Sequence, residues 1–135
     1  MRAAIVGTGF IARVHAIALR AIGVELGAVA GTSGPKAEAF GEGKPYDDLE
    51  ELLTRERIDV LHVCTPNDVH AAQALAALER GIHVVCEKPL ATSTDESRRM
   101  LDAARPSRSR PRSDRATRMS FAPSRRASSA ASCTT

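Results

Sequence analysis

Three short stretches of this sequence hold residue types that could do chemistry. "GTGFIA" sets Gly7, Gly9 and Ala12 at the spacing GxGxxA, "CTPNDVH" spans residues 64–70, and "VVCEKPLA" (residues 84–91) runs from an apolar stretch into Glu87, Lys88 and Pro89. In the first, Gly7 permits a tight turn, Gly9 has no Cβ and lets a pyrophosphate reach the backbone, and Ala12 lets a helix lie close to the preceding strand. The N–H groups at that helix start, helped by the helix dipole, then face the anion. Lys88 has a plain explanation, since a charge followed by proline ends a strand well. It also has a chemical one: the C-terminal ends of parallel strands are where an open α/β sheet meets its ligands.

The elements that must position these residues follow from periodicity. "AAIV" is a fully apolar run ending in glycine, as a strand buried on both faces requires. Phe10, Val14, Ile17 and Ala21 recur at helical spacing, so "FIARVHAIALRA" reads as an amphipathic helix with that stripe as its apolar face. "VELGAVA" reads as a strand, "GPKAEAFG" as a short helix closed by Gly41, and "DDLEELLTR" as a helix with acids in its first turn. "IDVLHVC" and "IHVVC" are the fourth and fifth strands, separated by the helix "DVHAAQALAALERG", which Asn67 and Asp68 could cap. A last helix starts at Thr94, with Asp95 and Glu96 in its first turn. This alternation predicts an α/β fold: a Rossmann-like doubly wound parallel sheet of about five strands.

Composition narrows the class. At 135 residues, 43% hydrophobic and 26% charged, the chain has room for one domain. No apolar run approaches the ~20 residues of a membrane span, and the first strand begins at residue 2, leaving no room for a signal peptide. Cys64, Cys86 and Cys133 are an odd number without framework spacing, so reduced thiols in the cytoplasm are expected. His62, Cys64, His83 and Cys86 sit in adjacent strands without close ligand spacing, and no metal is expected there. His15 and His70 are read as packed or hydrogen-bonded side chains with no chemical role.

Cofactor choice turns on the end of the second strand. An acid there would bind an unphosphorylated ribose. "GAVAGTSGPK" offers Thr32, Ser33 and Lys36 instead, hydroxyls and a cation that favour NADP(H) over NAD(H). With the turn Gly7, Thr8, Gly9, Phe10 and Ile11, these are the cofactor-binding candidates.

Together, the GxGxxA with His15, "YDDLEELLTRERIDVLHVCTPNDVH" and Glu87-Lys88-Pro89 resemble the N-terminal domain of the glucose–fructose oxidoreductase, inositol dehydrogenase and MocA family over residues 2 to about 104. The resemblance implies an NAD(P)-dependent oxidoreductase acting on a sugar, polyol or related hydroxyl substrate. It also implies that Thr65, Pro66 and Asn67 line the cofactor and that Glu87 lies near the nicotinamide ribose. Lys88 would touch the cofactor and act as the catalytic residue, assisting removal of the hydroxyl proton. Family members continue into a substrate domain that is not legible here, so a cofactor-binding fragment without turnover of its own is expected.

Residues 105–135 differ in kind. They hold eight Arg, eight Ser and one acid, a charge of +7, which leaves −4 on residues 1–104 and makes the overall +3 an average of unlike parts. Such a segment cannot bury enough apolar surface to offset its ordering entropy and is expected to be disordered. Arg, Ser, Pro, Ala and Thr have GC-rich codons, so a reading frame shifted near residue 105 explains the mixture better than a nucleic-acid-binding arm. The alternative reading is a non-catalytic nucleotide-binding or interaction module with a basic tail; a methyltransferase would not need the Glu-Lys-Pro or Thr-Pro-Asn segments. Limited trypsin digestion should trim the chain after residue 105 before cutting the folded part. Tail sites as resistant as those of residues 1–104 would contradict this.

Overall fold

The four predicted apolar runs become strands of one sheet, with a short strand at residues 44–46 between the second and third of them, and the chain reversals fall where glycine allows them. In this computed structural model, residues 1–105 and 119–121 are described. The strands are β1 (Arg2–Val6), β2 (Glu25–Ala30), β3 (Lys44–Tyr46), β4 (Val60–Val63), β5 (His83–Cys86) and β6 (Met119–Phe121). All pair in parallel in the order β3-β2-β1-β4-β5-β6. The chain leaves β1 for β2 on one side and returns to β4 on the other, so the order reverses between β1 and β4. That crevice is where a doubly wound sheet takes its ligand. β6 pairs with β5, Val84 facing Met119 in register, so β5 is not the sheet edge that a five-strand reading leaves exposed. Apart from Arg105 and β6, the expectation of a disordered tail falls outside the described residues.

The helices are α1 (Phe10–Ala21), α2 (Gly34–Glu38), α3 (Leu49–Arg55), α4 (His70–Glu79) and α5 (Thr94–Ala104). Their ends follow local chemistry. Asp48 caps α3 by accepting from the Glu51 N–H at 2.8 Å, and Ser93 with Glu96 forms a capping box on α5. Gly41 and Gly81, at φ +78° and +75°, end the segments after α2 and α4. The expected cap at Asn67–Asp68 does not form. Residues 67–69 make a short 3-10 turn after Pro66 with no side-chain cap, because proline at 66 already fixes the entry in extended geometry.

Both faces of the sheet are covered, but not alike. On one, Ala4, Val6, Leu61, Val63, Val84 and Cys86 pack with Leu52, Ala74, Leu78 and Met100 from α3, α4 and α5. On the other, Ala3, Ile5, Val29 and Cys64 meet Ala12, Ala16 and Leu19 of α1 with Phe40. Here the structure corrects the sequence reading. The stripe Phe10, Val14, Ile17 points outward, with Phe10 82% and Ile17 62% exposed, while Ala12 and Ala16 are buried. A helix that starts on a glycine turn lies so close to the sheet that only small side chains fit beneath it.

Beside the N-terminal end of β1, Glu56 gathers three donors from two strands, β1 and β3: Tyr46 Oη at 2.5 Å, Arg2 Nη1 at 2.6 Å and Lys44 Nζ at 3.2 Å. The Tyr46 hydroxyl first, then the Arg2 guanidinium, holds the Glu56 carboxyl down to about 2.

The buried face of α1 sets a test of the packing. Ala16→Leu should destabilise the fold by about 1–3 kcal/mol through overpacking, and Ile17→Ala should change it by less than about 0.5 kcal/mol. Urea unfolding midpoints decide; the reverse ranking would put the outward stripe in the core.

Candidate functional site

The turn after β1 is built by backbone contact. Gly7 sits at φ +109°, and its N–H donates to the Ala30 carbonyl at 2.9 Å. A Cβ on Gly7 would collide with the Cys64 carbonyl, so both the conformation and the space require glycine. Gly9 is different. It is the N-cap of α1 in extended geometry, no side chain caps the helix, and a Cβ there would point into open space. The first N–H groups of α1 therefore face outward without a side-chain acceptor, as an anion site needs. These features fit the pyrophosphate of a dinucleotide.

A cavity of about 590 Å³ opens beside this turn at the C-terminal ends of β1, β2 and β4. Of the expected residues, it brings together Gly7, Thr8, Gly9, Thr32, Lys36, Thr65 and Pro66. Lys36 Nζ donates to Thr32 Oγ1 at 3.1 Å, so the cation and hydroxyl form one exposed group. Ser33 instead serves as the N-cap position of α2 and is not in the cavity wall.

Three wall residues with carboxylate or amide side chains escape the sequence reading. Asp47 and Asp48 follow β3 and line the cavity, although their pattern signalled only a helix start. Gln73 also lines it, accepting from the Thr65 hydroxyl at 2.6 Å. Its position one turn after His70 on the same helix was the available signal.

Phe10, Ile11, Asn67, Glu87 and Lys88 lie outside that wall. Asn67 and Lys88 are exposed at the ends of neighbouring strands, and Lys88 precedes Pro89 through a cis bond. Glu87 is half-buried and held: its Oε1 accepts from His15 Nε2 at 2.9 Å, and His15 Nδ1 meets His62 Nδ1 at 2.8 Å. With both rings neutral, His62 donates to His15 and His15 donates to Glu87, a chain that runs from the middle of β4 across α1 to the end of β5. Burial first, then the neighbouring His15, lowers the His62 pKa to about 4. Cys64 and Cys86 are buried free thiols, pushed up to about 12 and about 11 chiefly by burial, then by the nearby Glu87. They fill space in the core.

The family described as "Oxidoreductase family, NAD-binding Rossmann fold" (GFO_IDH_MocA) matches residues 1–110. The chain is 40% identical to 1,5-anhydro-D-fructose reductase of Ensifer adhaerens over 106 residues, 75% of this chain and 32% of that protein. It is 39% identical to D-glucoside 3-dehydrogenase of Escherichia coli K12, over 78% of this chain and 32% of that protein. Among solved structures, the WlbA dehydrogenase of Bordetella pertussis in complex with NADH and UDP-GlcNAcA is similar at a TM-score of 0.70 and 31% identity, covering 76% of this chain and 31% of that one. The chain thus spans about a third of the length of the curated relatives it matches.

The histidine chain predicts an acid response. An unfolded His62 takes a proton near pH 6.5, whereas the folded one resists until about 4. Between those values the unfolded state binds more protons, so stability should fall as pH drops from about 6.5 to 4, by on the order of 3 kcal/mol. Urea unfolding at pH 7 and pH 4.5 should show a smaller loss in His62→Gln than in wild type. Equal losses would remove His62 as the cause.

Proposed function

Because the chain belongs to the Gfo/Idh/MocA oxidoreductase family, we propose that residues 1–104 form the dinucleotide-binding half of an enzyme that moves hydride to or from a sugar, polyol or related hydroxyl substrate. The observation that carries this reading is the open position at Gly9 over an uncapped helix N-terminus, beside a cavity at the strand-order reversal. Gly7, Thr8 and Gly9, with the leading N–H groups of α1, hold the pyrophosphate, and Phe10 and Ile11 carry those N–H groups. Thr65, Pro66 and Asn67 flank the cofactor from the end of β4. Bound nicotinamide supplies the hydride acceptor or donor.

The chain's own chemical contribution is proton handling and positioning. Lys88 Nζ takes the hydroxyl proton from the substrate as its carbon is oxidised, and returns it in the reverse direction. Glu87, oriented by His15, stands beside it as an acceptor for the nicotinamide ribose. Substrate must be held within about 3–3.5 Å of the reacting carbon for transfer. The groups that hold it belong to a substrate domain of the kind this family carries, so substrate selection lies outside residues 1–104.

On the cofactor's second ribose, Thr32, Ser33 and Lys36 favour a 2′-phosphate, making NADP(H) the preferred dinucleotide. Asp47, which lines the same cavity beside the start of α2, moderates that preference. Titration calorimetry checks both parts. Gly9→Val should abolish binding of NADPH and NADH alike by placing a branched side chain where phosphate sits. Lys36→Ala should weaken NADPH about tenfold, as loss of a charge-assisted bond does, and leave NADH nearly unchanged. Unaltered binding in the glycine variant would overturn the site, and equal losses in the lysine variant would overturn the cofactor preference.

A further inference from the structure

His70 is the one polar or charged side chain in the described core, fully buried at the first position of α4. Both of its ring nitrogens are engaged: Nδ1 lies 2.8 Å from the Pro89 carbonyl and Nε2 lies 2.7 Å from the Thr65 carbonyl. Carbonyl oxygens have no hydrogen to give, so wherever the ring bonds one of them a ring N–H is the donor. The two acceptors belong to different loops. Thr65 is in the segment that follows β4 and lines the cavity, and Pro89 directly follows Lys88 after β5.

The sheet itself joins those segments only up to their roots. Val63 pairs with Cys86, and the Glu87 N–H donates to the Val63 carbonyl at 3.1 Å. Past that rung the imidazole spans the two loops. Gln73 accepts from the Thr65 side chain while His70 takes its carbonyl, so the first turn of α4 grips Thr65 at two points.

We propose that His70 is a positioning residue for the nicotinamide end of the site: its buried ring ties the Thr65 carbonyl to the Pro89 carbonyl and thereby sets where Lys88 stands relative to the cofactor wall. A burial role alone would be met by any side chain of similar volume. A ring bonded at both ends to two ligand-side loops constrains their separation, and a planar five-membered ring is too stiff to stretch. The inference rests on the dinucleotide reading above, and the test separates the two.

The experiment compares NADPH, NADH and ADP-ribose binding to the full chain by calorimetry. ADP-ribose keeps the adenosine and pyrophosphate but has no nicotinamide. His70→Phe keeps the bulk and removes both donors; nicotinamide dinucleotide affinity should fall about tenfold, the scale of one or two lost hydrogen bonds, with ADP-ribose affinity within about twofold of wild type. His70→Asn places a donor near the Nδ1 position and keeps the Pro89 bond. His70→Gln places one near Nε2 and keeps the Thr65 bond. Each should fall between wild type and the phenylalanine variant, and these two carry the test if His70→Phe does not fold. Equal losses for all ligands would reduce His70 to a structural residue and overturn the proposal, as would unchanged nicotinamide dinucleotide binding. Failure of wild type to bind any of the three would instead overturn the dinucleotide reading itself.

Discussion

The contact on which the rest of this structure depends is backbone against backbone: the turn at Gly7 pressed onto the Cys64–Thr65 peptide. No side chain fits between them. That closeness aims the start of α1 at the crevice between β1 and β4, where the strand order reverses. It also dictates what lies under the helix. Ala12 and Ala16 are buried because nothing larger fits at that distance, and the larger apolar residues of α1 are turned outward. The tight glycine turn and the outward apolar face of α1 are thus two results of one steric condition.

The two ends of the sheet do different work. Beside the N-terminal end of β1, Arg2, Lys44 and Tyr46 converge on Glu56, and the charges are matched within a few ångströms. At the C-terminal ends, donors and cations are left open: the first N–H groups of α1, Lys36 beside Thr32 in the cavity wall, and Lys88 exposed outside it. A site that must bind an anionic ligand cannot satisfy its own donors beforehand, so the matched network sits at the far end.

Between these ends, three histidines are absorbed into the scaffold in a directed way. His62 and His15 pass hydrogen bonds to Glu87, and His70 bridges the loops after β4 and β5. None of the three is an exposed acid–base group. Each is hydrogen-bonded to other parts of the fold, and burial gives those bonds their strength, because a hydrogen bond lost in the interior is not replaced by water.

The order of strands and helices, the parallel sheet and the glycine turn could all be read from the sequence, because each is written in local signals: apolar runs of strand length, helical spacing, acids in first helical turns, and glycines at reversals. So were the cavity residues that belong to motifs, Gly7, Gly9, Thr65 and Pro66 among them. Tertiary structure decided what depends on distances between segments far apart in the chain. It chose which face of α1 is buried, since periodicity reports an apolar stripe without saying how near the sheet will lie. It added β6 beside β5, from a three-residue segment too short to show a period. It brought Asp47 and Gln73 to the cavity and joined His15 to Glu87 across 72 positions. A histidine in a sequence carries no mark of its partner; only the fold determines whether its two nitrogens meet water, a carboxylate or two carbonyl oxygens.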